Sequence, residues 1–289
     1  MPIGNQMSRN RHTVDDNSPF GTYRPGIFAL SLIKVTRSLP TNWLGRRLMF
    51  ILRRIAAVGI SGKVDTELFG FPMRLHKRGN VSEKRALYAP QFFDLKERQA
   101  LASLAKDNAV FIDIGANMAL YSFSIAAVFK NFNNTRILAI EPHPIVSRRL
   151  AYNLSLNPDL PIEPIFVGLG IHDGVMRMVT PDNNLGESRL LRDGEIASGE
   201  VNEIQARTLL GLLTEKNINR IDGMKIDIEG HEEAVLIPFL EQAPENLLPR
   251  LIVIENNYNK WERDLLALAE TKGYVSQTIT RMNVILEKF

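Results

Sequence analysis

Two five-residue runs constrain the fold more than anything else in this chain. "MKIDI" (224–228) and "LIVIE" (251–255) are nearly all apolar, and each is flanked by segments of helical periodicity. A strand without polar alternation is buried on both faces, the situation of parallel sheets covered by helices. The same order runs through the second half of the chain. A strand at 109–114 precedes a helix near 118–130, and a strand at 136–141 precedes a helix near 144–156. Next come a strand near 162–169, a helix near 206–217, the strand at 222–228, and a helix from about 231. A strand at 250–256, a helix near 259–272 and a strand pair at 274–280 and 283–288 close the sequence. Right-handed crossovers place such helices on the faces of a doubly wound, mostly parallel α/β sheet, here of seven strands with a terminal antiparallel pair.

Upstream the order is looser. Residues 1–26 are polar and aperiodic, which predicts disorder. Leu44, Leu48, Ile51, Leu52 and Ile55 share one side of a helix predicted over 41–58, capped by Thr41, with Arg46, Arg47, Arg53 and Arg54 on the other. Such a basic amphipathic helix can lie on an anionic membrane surface, or pack on its own domain with solvated arginines. "VDTELFGFPMRLHKRG" predicts a hairpin and "QFFDLKERQALASLAKDN" a helix. Residues 171–205 form a long, less regular insert, of the kind that often covers a site. The division expected is a basic extension (1–60), a hairpin and helix leading into the core (61–108), and the main domain (109–289).

Charge follows that division. The net charge is +3, but residues 1–60 hold nine Lys/Arg against Asp15 and Asp16, or +7, which leaves −4 for the rest. Residues 61–289 therefore show no polyanion-binding balance, and nucleic acid is not the expected substrate. Lys96, Arg98, Arg148 and Arg149 read as solvated helix faces. No apolar run reaches the roughly 18–20 residues that span a bilayer, and no secretory leader is expected. The chain has no cysteine, which excludes thiolate zinc sites and cysteine nucleophiles and fits a reducing compartment. A cytoplasmic location is expected, with peripheral contact at the inner membrane surface through 41–58 as an option.

Ligands of open parallel sheets sit beyond the carboxyl ends of the strands. "VFIDIGAN" puts Asp113, Gly115 and Asn117 there. Gly115 permits a tight turn and close ligand approach. Asp113 suits a cationic group such as an amino-acid ammonium. The next strand ends on Glu141, twenty-six residues after Gly115, where a carboxylate can accept both hydroxyls of a ribose. A dinucleotide site would want further glycines where Asn117 and Ala119 stand, and an acid before the glycine repels phosphate. S-adenosylmethionine has no phosphate and carries an ammonium, so it fits better.

"FIDIGAN", "LYS", "AIEPHP", "NLSLN", "TLLGLL" and "MKIDIEGHE" occur in that order, and over roughly 90–260 the chain resembles the FkbM-type S-adenosylmethionine-dependent methyltransferases. The resemblance implies a class I methyltransferase, Rossmann-like fold and methylation of hydroxyls on sugars, polyketides or other small molecules. It implies a cofactor site lined by Asp113, Gly115, Ala116, Asn117 and Glu141. Tyr121, Pro142, Leu169 and Asp227 complete the expected cofactor set. Ala119 stands where the family commonly has glycine.

Methyl transfer to a hydroxyl needs alignment and a base. "KIDIEGHEE" supplies Asp227, Glu229, His231 and Glu232 at a strand end. His231 or Glu229 is the expected base, with Asp227 nearer the cofactor; alternatively Glu229, His231 and Glu232 merely favour a helix N-terminus. Asp227, Glu255 and Asn256 could instead hold a divalent ion that orients a diol. Two further readings stay open: a methyltransferase acting on nitrogen or carbon, and a non-catalytic protein that keeps the cofactor fold and attaches to a membrane or partner through residues 27–58.

Overall fold

The structure, a computed structural model, describes residues 17–58, 60, 62–77, 79–181, 185–191, 199–279 and 282–289. Helices α1 (Ile27–Ser38) and α2 (Trp43–Val58) lead into a hairpin of β1 (Lys63–Leu68) and β2 (Phe71–His76). Helices α3 (Val81–Tyr88) and α4 (Leu95–Ala102) follow, and then the alternating region begins. It runs β3 (Val110–Ile114), α5 (Leu120–Phe129), β4 (Arg136–Ile140), α6 (Pro144–Ser155) and β5 (Ile162–Ile165). The short strands β6 (Gly168–Leu169), β7 (Gly174–Thr180), β8 (Arg189–Leu190) and β9 (Glu200–Arg207) come next. The chain closes with α7 (Leu209–Glu215), β10 (Gly223–Ile226), α8 (Glu232–Gln242), β11 (Leu251–Glu255), α9 (Leu265–Thr271), β12 (Tyr274–Ile279) and β13 (Asn283–Lys288).

Among the described residues seven strands form the main sheet in the order β12-β13-β11-β10-β3-β4-β5. β10, β11, β3, β4 and β5 are parallel, while β13 runs antiparallel to both β11 and β12. The order reverses beside β3, so β3 and β10 leave the sheet at the switch point. This is the class I methyltransferase arrangement implied by the resemblance.

Strand parity divides the core in two. Ile112, Ile114, Leu138, Ile140, Met224, Ile226, Ile252 and Ile254 join the cluster under α7, α8 and α9. Phe111, Ile137, Ala139 and Val253 face the other way, into the cluster with α5. Ala29, Ile33 and Ala56 belong to that same cluster, so the inward sides of α1 and α2 share the main core.

Several expectations need correction. The strand expected at 162–169 breaks after Ile165, and β6 crosses into a second sheet of order β6-β9-β7-β8. The insert therefore carries its own sheet, with β7 and β9 antiparallel from Gly174↔Ala206 to Thr180↔Glu200. Because β9 runs to Arg207, α7 starts only at Leu209, with Thr208 as its cap. The predicted disorder of residues 1–26 fails over 17–26; residues 1–16 lie outside the described ones. Arg74, fully buried, pairs with Asp65 at 2.7 Å, and its guanidinium also donates to Ser18 O and Pro19 O at 3.0 Å each. Asp65 in turn accepts from the backbone of Gly21 and Tyr23; against the opposing effect of burial, the Arg74 bond first and then these two hold its carboxyl below the usual range. A buried pair needs its remaining donors satisfied, and the arm supplies the acceptors.

Arg98 and Arg149 are not solvated either. Arg149 donates to the buried Glu83 at 3.0 Å, and Arg98 donates to Phe93 O, Pro90 O and Ser124 Oγ. Of the "NLSLN" asparagines, Asn153 exchanges bonds with the backbone N–H and C=O of Arg74 and Asn157 donates to Pro72 O. They tie the β1–β2 hairpin to α6. No helix among the described residues is long and apolar enough to cross a membrane.

Candidate active site

The loop after β3 is shaped by its neighbours. Gly115 and Ala116 both donate to Ile140 O, at 3.0 and 2.9 Å, which ties the loop to the end of β4. Gly115 has φ +69°, and a Cβ there would stand 1.9 Å from Asp227 O. The glycine is thus demanded first by the exit of β10, not by a ligand. Asn117 and Ala119 also take left-handed backbone, at φ 54° and 65°. Asparagine tolerates that region; alanine bears a penalty of about 1–2 kcal/mol, which explains why glycine is common at the second position.

Glu141 sits at the end of β4 as expected. Its Oε2 accepts from Asn117 N and its Oε1 from His143 N, both at 2.8 Å. Those bonds fix the carboxylate plane, and each oxygen keeps acceptor capacity toward a hollow also lined by Gly115, Ala116, Asn117, Tyr121 and Pro142. Burial pushes the Glu141 carboxyl up to about 7, with the His143 and Asn117 bonds acting the other way. An apolar slot opens alongside, lined by Pro142, Val167, Leu169, Met178 and Ile228. Leu169 reaches the site through β6.

Asp113 does not reach the hollow, and its expected role in holding an ammonium is withdrawn. It lies between Ile112 and Ile114 in β3, so its side chain points to the sheet face under α5 rather than beyond the strand end. It is fully buried, with Oδ2 accepting from Ser122 Oγ at 2.6 Å and Ser122 N at 3.1 Å. Its Oδ1 faces Lys225 Nζ at 3.8 Å, and burial pushes the carboxyl up while Lys225 pulls it down. Asp113 and Glu141 therefore do not grip opposite ends of one ligand.

Lys225 is the central group that sequence reasoning passed over. It is opposite Asp113 in register, and its ammonium donates to Gly115 O at 2.9 Å and lies 3.5 Å from Asp227 Oδ2. A lysine inside an otherwise apolar strand is itself the signal, because a buried charge needs partners. Asp94 is a second such residue. It lines the hollow, accepts from Tyr121 Oη at 3.2 Å, and has its carboxyl pushed up by burial. Ser82 and Phe93 line the same wall, from the segment before β3.

Beyond β10 the chain makes a strained loop, with Glu229 at φ 59° and Gly230 at φ 98°. Glu232, fully buried at the start of α8, holds it. Its Oε1 accepts from Ile228 N and Gly230 N, at 3.1 and 3.0 Å, and its Oε2 accepts from Trp261 Nε1 at 3.1 Å. Glu232 is thus a clamp on the loop rather than a reactant. Backbone held in a rare conformation by so many bonds points to function.

The clamp sets Glu229 among other acids. Asp227, Glu229 and Glu255 each offer an oxygen within 4.8 Å of one another. Burial first, then Asp227, pushes Glu229 up to about 7; burial, then Asp227 and Glu229, pushes Glu255 up to about 9. Such repulsion is relieved by a proton or by a cation. The structure groups Glu229 with Asp227 and Glu255; Asn256 lies just beyond β11, its N–H donating to Met282 O at 2.8 Å.

On the far side of Glu229 lies a cavity of about 710 Å³, lined by Glu187, Arg189, Glu229, His231 and Lys260. Glu229 borders both spaces, whereas His231 borders the larger cavity and the apolar slot. The insert contributes as anticipated for a covering segment: Gly186 and Ser188 line the hollow, Glu187 and Arg189 the cavity.

A family model described as "Methyltransferase FkbM domain" matches residues 113–287. A curated relative, "Methyltransferase sdnD" of Sordaria araneosa, is 28% identical over 200 residues, covering 58% of this chain and 74% of that protein. Among solved structures, precorrin-6y C5,15-methyltransferase from Geobacter metallireducens GS-15 superposes with a TM-score of 0.38 at 16% identity, over 67% of this chain and 88% of its own. M. jannaschii TYW2 in complex with AdoMet gives a TM-score of 0.38 at 14% identity, over 80% and 89%. Structural likeness of that depth says nothing about substrate.

Proposed function

The chain belongs to the FkbM methyltransferase family, which uses S-adenosylmethionine, and on that footing we propose that it methylates a hydroxyl of a small molecule or glycan with Glu229 as the base. The position of Glu229 carries this reading: it is the carboxylate that borders both the hollow and the larger cavity. A base must reach the acceptor while the acceptor reaches the methyl donor. A carboxyl raised to about 7 is a stronger base than an ordinary glutamate and still ionises near neutrality.

The residues present fit the cofactor. Glu141 has two oriented oxygens for the ribose hydroxyls, and the slot of Val167, Leu169 and Met178 suits an adenine ring. Asp227 and Asp94 stand where an ammonium and a sulfonium would relieve acidic repulsion. Bound there, S-adenosylmethionine supplies a methyl group activated by positive sulfur. Lys225 holds the Gly115 carbonyl and Asp227 in place. Glu229 takes the proton the acceptor hydroxyl gives up, and His231 and Lys260 orient the acceptor. Charged and hydrogen-bonding groups around the larger cavity suit a hydroxyl-rich molecule better than an apolar one.

Incubation with methyl-labelled S-adenosylmethionine and extracts containing small molecules and glycans tests the assignment. Label is expected on oxygen, with Glu229→Gln lowering turnover at least about a hundredfold and His231→Ala having the smaller effect. Full turnover of Glu229→Gln at saturating acceptor, or label on nitrogen or carbon, would overturn it. Adding a strong chelator separates relief of the acidic trio by a divalent ion from relief by protons and cofactor.

A further inference from the structure

We propose that α2 is a docking surface for an anionic lipid bilayer. The helix packs against α1 and the core with small or slender residues, Gly45, Met49 and Ala56, and turns its bulky aliphatics outward. Leu44, Leu48, Ile51 and Ile55 recur at helical spacing along one stripe and remain 63%, 41%, 58% and 45% exposed. A helix meant only to pack on its own domain has the opposite arrangement. Val58 and, on α1, Ile27 and Phe28 add further exposed apolar surface.

Charge identifies the occupant. The helix contains Arg46, Arg47, Arg53 and Arg54 and no acidic residue. At 100° per residue, Arg47 and Arg54 fall directly beside the aliphatic stripe, together with Trp43. Arg47 lies over the Trp43 ring at 4.8 Å, whereas Arg46 and Arg53 stand on the opposite side of the helix, toward α3. An apolar stripe bordered by arginine and an aromatic ring matches the boundary between acyl chains and anionic headgroups. Nucleic acid would use the arginines but leave the aliphatics in water. A second copy meeting this face would bring two sets of arginines together. Residues 1–16, polar and containing Arg9 and Arg11, offer little apolar surface to cover it.

The test uses the full chain and sedimentation with phosphatidylcholine vesicles, with and without phosphatidylglycerol. Binding to the anionic vesicles is expected to be at least about tenfold tighter, since each arginine near such a surface contributes a factor of about five. It should weaken as salt rises. Ile51→Glu with Ile55→Glu alters exposed positions only and should reduce vesicle binding at least about tenfold, leaving S-adenosylmethionine binding unchanged. The inference is overturned by absence of vesicle binding, by equal binding of the double variant, or by a concentration-dependent dimer that the double variant abolishes without any lipid association. Cofactor calorimetry on the same samples reads the methyltransferase assignment separately.

Discussion

Replacing Glu229 by glutamine should stabilise the protein at alkaline pH while it abolishes catalysis. The Glu229 carboxyl is raised from 4.5 to about 7, first by burial, then by Asp227, with Lys260 opposing. A carboxyl whose pKa rises on folding supports the folded state while it is protonated. That support is complete below about pH 4.5 and is lost as pH rises through about 7. The interval corresponds to about 3 kcal/mol by which ionised Glu229 weakens the fold relative to its protonated form. Glutamine resembles the protonated form at every pH. Urea unfolding without cofactor should therefore find wild type and Glu229→Gln nearly equal at about pH 4.5, and the variant roughly 2–3 kcal/mol more stable at about pH 8. The lower end of that range allows for solvent screening of a group that is not wholly buried. An equal gain at both pH values, or none at about pH 8, would show that burial and the neighbouring acids do not raise the Glu229 carboxyl on folding.

Three other outcomes follow from the same geometry. Glu141→Gln should weaken S-adenosylmethionine binding about tenfold or more by calorimetry, and wild-type affinity should rise as pH passes through about 7, because ionised Glu141 is the form that accepts two hydroxyls. Asp113→Ala should do the reverse: it removes two bonds to Ser122 and leaves Lys225 undercompensated, lowering stability by about 2–4 kcal/mol with cofactor affinity nearly unchanged. Gly115→Ala sets a methyl 1.9 Å from Asp227 O, so thermal melting should show a loss above about 3 kcal/mol, or no folded protein at all.

The main sheet is legible in the sequence because its strands are buried on both faces and read as apolar runs. Glu141 is legible because it stands at a strand end with its side chain toward the hollow, and Gly115 because the tight turn after β3 demands a glycine. Asp113 misleads for a related reason. It is near the end of β3, yet its direction is set by parity with Ile112 and Ile114, and that parity sends it under α5. The same parity places Lys225 opposite it, so a charge in each of two adjacent apolar strands is one buried pair, of which only Lys225 reaches the hollow. Helix α3 has a readable start, Asn80 capping Glu83 N at 3.2 Å, in a segment too weakly amphipathic to stand out. The anchoring of residues 17–24 is invisible locally, since Arg74 and Asp65 lie some fifty residues away. Within the insert, β9 alternates only over its last four residues, and β7 ends in three consecutive buried ones, so neither reads as a half-buried strand over its whole length.

The bond from Asn80 Nδ2 to Asn117 Oδ1, at 2.6 Å, joins the segment before β3 to the loop that presents Glu141 with its N–H. With Ser82, Phe93 and Asp94 it makes one side of the hollow from sequence that precedes the family match at 113. A fragment trimmed to the matched boundaries would lose that wall, and Val110–Ile112 of β3 with it. Grafting a different lead-in onto the same sheet is correspondingly a route to retune how the methyl donor is enclosed, without touching a single strand.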